Sequence, residues 1–202
     1  MTLLSRLRSF LRELRELVRI SEAQEIARRM FVTNTIDGLI SSMGIILGTY
    51  LLGGRDPLIY IGAVVGGNSA MGLFSAFLGT YFSERAERLR ELRELERAMA
   101  ADLRGSIYWR SSKVVPLYVA AWSSLGMLTL PVLCSSPLLL AHEGIISLRY
   151  AILASLVLLE TAMFLLGSYL GRISGEKWYM VGLRMLLVGL ATITLYLLIE
   201  LA

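Results

Sequence analysis

Histidine, cysteine and lysine are nearly missing from this chain of 202 residues, which has one histidine (His142), one cysteine (Cys134) and two lysines (Lys113 and Lys177). A lone cysteine excludes an intrachain disulfide and any cysteine-based metal cluster. A lone histidine, placed in a loop, excludes the paired-histidine metal sites of hydrolases. No glycine-rich phosphate loop, nucleophile elbow or nucleophile–base pair is present, so the chain is not expected to be an enzyme. Charge is scarce as well. Only 18% of the residues are Asp, Glu, Lys or Arg, against about a quarter in a soluble domain.

What is abundant is apolar sequence, 55% of the chain, with a mean hydropathy of +0.64. The charges fall in blocks at 6–29, 84–113 and 172–184, with long apolar stretches between them. That pattern predicts a polytopic membrane protein. Spans are expected at about 30–52, 58–83, 114–134, 148–171 and 180–201. The net charge of +4 and pI near 9.4 do not indicate nucleic acid, because the arginines flank bilayer-length runs rather than form one patch. With the N-terminus inside, seven basic residues precede the first span, eight lie in 84–113, and Arg172, Lys177 and Arg184 are also inside. Arg55 and Arg149 are left outside. So one-sided a distribution predicts a cytoplasmic N-terminus and an external C-terminus in the cell membrane.

The expected fold is therefore all-α: five transmembrane helices with a cytoplasmic helical extension between spans two and three. It divides into a cytoplasmic amphipathic segment 1–29, a first hairpin 30–83, a Glu/Arg-rich helix 84–113, a second hairpin 114–171, and a loop with the fifth span over 172–202. Residues 1–19 alternate leucines with arginines as an interfacial helix would. Arginine recurs throughout that stretch, unlike a signal peptide. Ser21 and Gln24 have capping-box spacing, and Gly53-Gly54-Arg55-Asp56-Pro57 reads as a tight turn. A weak repeat at an offset of 88 residues lays Leu78-Gly79-Thr80-Tyr81 on Leu166-Gly167-Ser168-Tyr169, and Gly38 on Gly126.

Two acids lie inside apolar spans, Asp37 and Glu160. A charge at the bilayer centre costs at least ~2.5–3.5 kcal/mol on insertion scales, so such groups generally face a polar interior. Thr33, Asp37, Ser41, Gly44 and Gly48 share one helical face. Asn68, Gly72, Ser75 and Gly79, with Met71 beside them, form a similar stripe in the second span, and Gly182, Met185, Gly189, Thr192 and Tyr196 another in the fifth. These stripes suit close helix packing, yet packing alone requires neither an Asp nor an Asn. The candidate ion pathway is accordingly Asp37, Ser41, Asn68, Met71, Ser75 and Glu160. Glu84, Glu87, Glu91 and Glu94 recur along one side of the charged helix. They are either oxygen ligands for a divalent cation or, with the interleaved arginines, the ion pairs of a solvated helix.

The run from Phe31 to Gly48, FVTNTIDGLISSMGIILG, resembles the first span of the vacuolar iron transporter family, whose hallmark is Asp-Gly-Leu followed by a glycine-spaced apolar helix. Gly79-Thr80-Tyr81-Phe82-Ser83-Glu84-Arg85, Val115-Pro116-Leu117 and Gly182-Leu183-Arg184-Met185-Leu186-Leu187-Val188-Gly189 add agreement elsewhere. The resemblance implies a five-helix protein, usually dimeric, exchanging cytoplasmic Fe²⁺ or Mn²⁺ for protons, with Asp37 as central ligand and no tightly bound cofactor. It implies metal collection by Glu84, Glu87, Glu91 and Glu94. In the second span the family run similar to Ser-Met-Ala-x-Gly-Glu-Tyr reads Ser75-Ala76-Phe77-Leu78-Gly79-Thr80-Tyr81 here, with Ala76 and Thr80 at the methionine and glutamate positions. A non-transporting membrane scaffold of the same fold is the alternative expectation.

Overall fold

The computed structural model describes residues 22–201, and every regular element among them is helical. The amphipathic segment expected over 1–19 and Ser21 of the capping box lie outside the described residues. Six helices follow one another: α1 (Ala23–Leu51), α2 (Pro57–Met99), α3 (Ile107–Cys134), the short α4 (Pro137–His142), α5 (Leu148–Ser174) and α6 (Trp178–Leu201). Five of them, all but α4, are long and apolar enough to cross a membrane.

Local chemistry sets the ends. Glu22 caps α1 with left-handed backbone (φ 53°) and no side-chain bond. The helix thus begins one residue after the position a Ser21 cap would give. Gly53 takes φ +78° in the turn that follows, a conformation open to glycine without strain. Asp56 then caps α2, its carboxylate accepting from the Leu58 amide at 2.9 Å, with Pro57 in the first helical turn. Such a cap contributes about 1 kcal/mol. The buried Tyr60 donates its hydroxyl to the Gly54 carbonyl at 2.8 Å and closes the turn from above. Ser106 caps α3 by accepting from Trp109 N.

Two boundaries differ from the sequence reading. The charged helix runs on from the second span without a break, on Glu–Arg pairs that support its exposed half, but it ends at Met99 and not further along 84–113. The third helix starts at Ile107, so Pro116 lies more than two turns inside rather than at its opening.

The centre of the molecule is the crossing of α1 and α3. Between apolar helices in a bilayer there is no hydrophobic drive to associate, so close packing of small residues does that work. Gly38 faces the ring of Pro131 and the Met127 carbonyl; Gly126 faces the Phe31 carbonyl and Thr35. Pro131 has no amide hydrogen to give Met127, the residue four before it. Gly38 therefore lets α1 close over a carbonyl that lacks its usual amide partner four residues on. The glycines matched by the repeat thus sit at one interface. α5 and α6 form an antiparallel pair: Gly167 and Gly171 receive Met185, Val181 and Trp178, and Gly182 receives Ser168 and Phe164. Of the α6 stripe, Gly182, Met185 and Gly189 form this packing face, whereas Tyr196 turns to Gly44 of α1 and the Thr192 hydroxyl bonds back to the Val188 carbonyl. Most buried apolar side chains come from α1, α3 and α5, whereas α2 and α6 have the smallest buried share.

Candidate functional site

The five-residue stripe on α1 is divided by its neighbours. Gly44 is buried under the Tyr196 hydroxyl of α6, and a Cβ built at Gly48 would lie 3.8 Å from the same ring. Towards the N-terminal end, Thr33 and Asp37 are uncovered, and Ser41 is half-buried between the two zones. One turn along from Asp37, the Ser41 hydroxyl donates to the Met71 thioether at 3.5 Å. Met71 is 40% exposed, and Ser75 one turn further is exposed too. Asp37, Ser41, Met71 and Ser75 thus border one open face of the α1–α2 pair. The face sets hard oxygen donors, a carboxylate and hydroxyls, beside one soft thioether.

Asn68 does not join them. It is fully buried further into the α1–α2 contact, donating from Nδ2 to Ser42 Oγ at 2.7 Å, while its Oδ1 has no partner within the protein. Just beyond Asn68 lies a π-helical segment, Met71–Ala76, in which the Phe77 amide reaches back to the Gly72 carbonyl five residues earlier. A π turn inserts one extra residue and shifts everything beyond it around the helix. The inward positions therefore run Tyr60, Val64, Asn68, Gly72 and Ala76, with Thr80 half-buried after them. The regular spacing had placed Ser75 and Gly79 on the side of Asn68 and Gly72; the π turn carries them outward instead.

Thr80 and Ala76 enter a buried polar knot that the sequence reading did not single out. The Ser123 hydroxyl of α3 donates to the Ala76 carbonyl at 3.2 Å and lies 2.8 Å from Thr80 Oγ1. It also accepts from Asn34 Nδ2 at 2.9 Å, and Asn34 donates as well to the Met30 carbonyl. One hydroxyl thereby ties α1, α2 and α3 together. With its own proton on Ala76, Ser123 accepts from Thr80, so every partner is satisfied. The signal was available as three polar residues at inward positions of apolar helices, but their mutual contact needs the tertiary crossing.

Each of the four helix carboxylates has an arginine within reach. Arg88 lies 2.9 Å from Glu84 and 3.2 Å from Glu91, and Arg90 pairs with Glu87 and, at 3.7 Å, with Glu94. Among the described residues no three acids, histidines or cysteines converge tightly enough to hold a metal ion by themselves. Glu160 stands apart, in a groove lined by residues of α5 and α6 only.

No family model matches the chain, and no solved structure matches it. The chain is similar to an uncharacterized protein, MJ0645, of Methanocaldococcus jannaschii, at 27% identity over 177 residues, which is 87% of this chain and 90% of that protein.

Proposed function

We propose that this chain is a divalent-metal transporter of the cell membrane that moves cytoplasmic Fe²⁺ or Mn²⁺ out or into a store in exchange for protons, working as a homodimer with its N-terminus inside. The observation that carries this reading is the uncovered Asp37, on a face of an apolar, membrane-length helix, with Ser41 and Met71 joined beside it. A bare acid at that depth facing lipid is strongly disfavoured. A second copy laid against the same face would cover it and bring two such donor sets together. Metal and proton would then compete for the carboxylate, since an occupied metal site favours its charged form and protonation abolishes it. The likeness of the Asp37 segment to the vacuolar iron transporter family supports the same reading, and the positive-inside count supports the orientation.

One observation favours the scaffold alternative. Ala76 and Thr80, at the positions where the family places methionine and glutamate, are built into the Ser123 knot and offer no free ligand atom to the open face.

The test is metal flux into proteoliposomes holding a metal-quenched dye under a pH gradient. The native chain is expected to quench the dye with Fe²⁺ or Mn²⁺. Asp37→Asn is expected to slow quenching by at least ~10–100-fold, the loss seen when even an outer partner of a metal ligand is removed. Equal flux through Asp37→Asn refutes the mechanism. A native chain that carries no metal at any pH gradient leaves the scaffold reading in its place.

A further inference from the structure

The membrane interior holds a second acid that the Asp37 face does not use. Glu160 lies near the middle of α5, is 9% exposed, and neither carboxyl oxygen has a hydrogen-bond partner within the protein. Across from it on α6 is Gly189, where a Cβ would come within 2.5 Å of Glu160 Oε1 and 2.7 Å of its Cδ. The carboxyl therefore sits in a cradle that exists because position 189 has no side chain. The cradle opens into a groove of about 660 Å³ between α5 and α6, walled by Leu153, Val157, Phe164, Leu186 and Leu190.

No other ionisable group lines that groove. The one other polar side chain in the wall, Thr161, has its hydroxyl bonded to the Val157 carbonyl at 2.7 Å. On α5 the nearest basic residues in sequence are Arg149 and Arg172 at its two ends, ~16–18 Å along the helix. On α6, Arg184 is exposed and paired with Glu176, and Tyr196 is engaged two turns beyond at Gly44 of α1. Among the described residues no cation is positioned to balance a charge, and a bare carboxylate in an apolar wall is a costly state. A proton is the species that fits the cradle, completes the carboxyl and needs no further ligand.

We propose that Glu160 is a proton-binding site within the bilayer, entered from the lipid side through the α5–α6 groove and separate from the Asp37 face. The site does not depend on metal transport, so the two readings stand or fall independently.

Dicyclohexylcarbodiimide, an apolar reagent, tests this on the full chain in liposomes. The acid proton passes to one carbodiimide nitrogen and the carboxyl oxygen bonds to the central carbon. The resulting O-acylisourea rearranges to a stable N-acylurea, an addition without leaving group or redox change. Tryptic cleavage after Arg149 and Arg172 yields peptide 150–172, whose one acidic side chain is Glu160. The expected result is a single adduct on that peptide with the apolar reagent, little with a water-soluble carbodiimide, and loss of the adduct in Glu160→Gln. An unlabelled peptide in the native chain overturns the proposal. Equal labelling by the two reagents overturns entry from the lipid side. Both readings come from the native chain, so a variant that folds poorly does not blunt them.

Discussion

Gly38→Ala is the sharpest test of the helix crossing that holds Asp37 in place. The added Cβ would lie 2.7 Å from the Met127 carbonyl oxygen and 2.6 Å from Pro131 Cγ, where ordinary contact begins at 3.4 Å. Neither obstacle can rotate away, since one is backbone and the other a proline ring. The Met127 sulfur, at 3.3 Å, is the one neighbour able to yield. Relief must therefore come from moving α1 off α3 by several tenths of an ångström, which loosens contacts along the whole interface. Overpacking of this kind costs about 1–3 kcal/mol, and rigid obstacles place it at the upper end. Against that stands a gain of about 0.8–1.0 kcal/mol from replacing glycine by alanine within a helix. The net expectation is a loss of about 2 kcal/mol, close to a 30-fold fall in the folded-to-unfolded ratio.

Unfolding by rising SDS fraction in mixed micelles, followed by circular dichroism, measures this directly. Gly62→Ala is the control, because nothing lies within 4 Å of a Cβ built there. It is expected to hold or gain stability, by up to about 1 kcal/mol. If Gly38→Ala is as stable as Gly62→Ala, α3 does not pass over Gly38 and the α1–α3 crossing is wrong.

Ser123→Ala removes the shared hydroxyl of the knot and leaves the Ala76 carbonyl and Thr80 without that partner. A loss of about 1–3 kcal/mol is expected in the same unfolding assay, and a change within a few tenths of a kcal/mol would show the knot is not formed. Replacing Glu84, Glu87, Glu91 and Glu94 together by glutamine breaks four ion pairs to Arg88 and Arg90. Pairs of this kind contribute about 0–1 kcal/mol each where exposed, so the helix is expected to persist. Calorimetric titration with Mn²⁺ reads the other role: affinity is expected to fall in the fourfold variant, and unchanged binding would remove this helix from metal collection.

The five long helices were legible because bilayer-length apolar runs separated by charge leave few other arrangements. Their ends were less so. The apolar run stops near Tyr81, and a reading by hydropathy stops there too, while the backbone continues through Met99 on Glu–Arg pairs that hydropathy does not count. Pro116 misled in the opposite direction. A proline is at home in a first helical turn, and the two turns before it, from Ile107, are made by a serine cap whose effect is local and easily overlooked.

The candidate site shows where periodicity ceases to be a guide. On α1 the regular helix kept its register, and Asp37 and Ser41 fall together as their spacing requires. On α2 a single π turn separated Asn68 from Ser75, which share a stripe in any regular helix. Small residues at Gly72, Ser75 and Ala76 permit such a turn but do not demand it. What stabilises it here is tertiary: Gly72 fits against Leu128 and the Ser124 carbonyl, and the Ala76 carbonyl takes the Ser123 proton. The same turn carries Ser75 outward and sends Thr80 to the knot. The register of α2 beyond Met71, and with it the outward turn of Ser75, is therefore tied to α3. Substitutions in α3 at Ser123 or Leu128 should alter metal selectivity through the register of α2, without touching the face where the ion is proposed to bind.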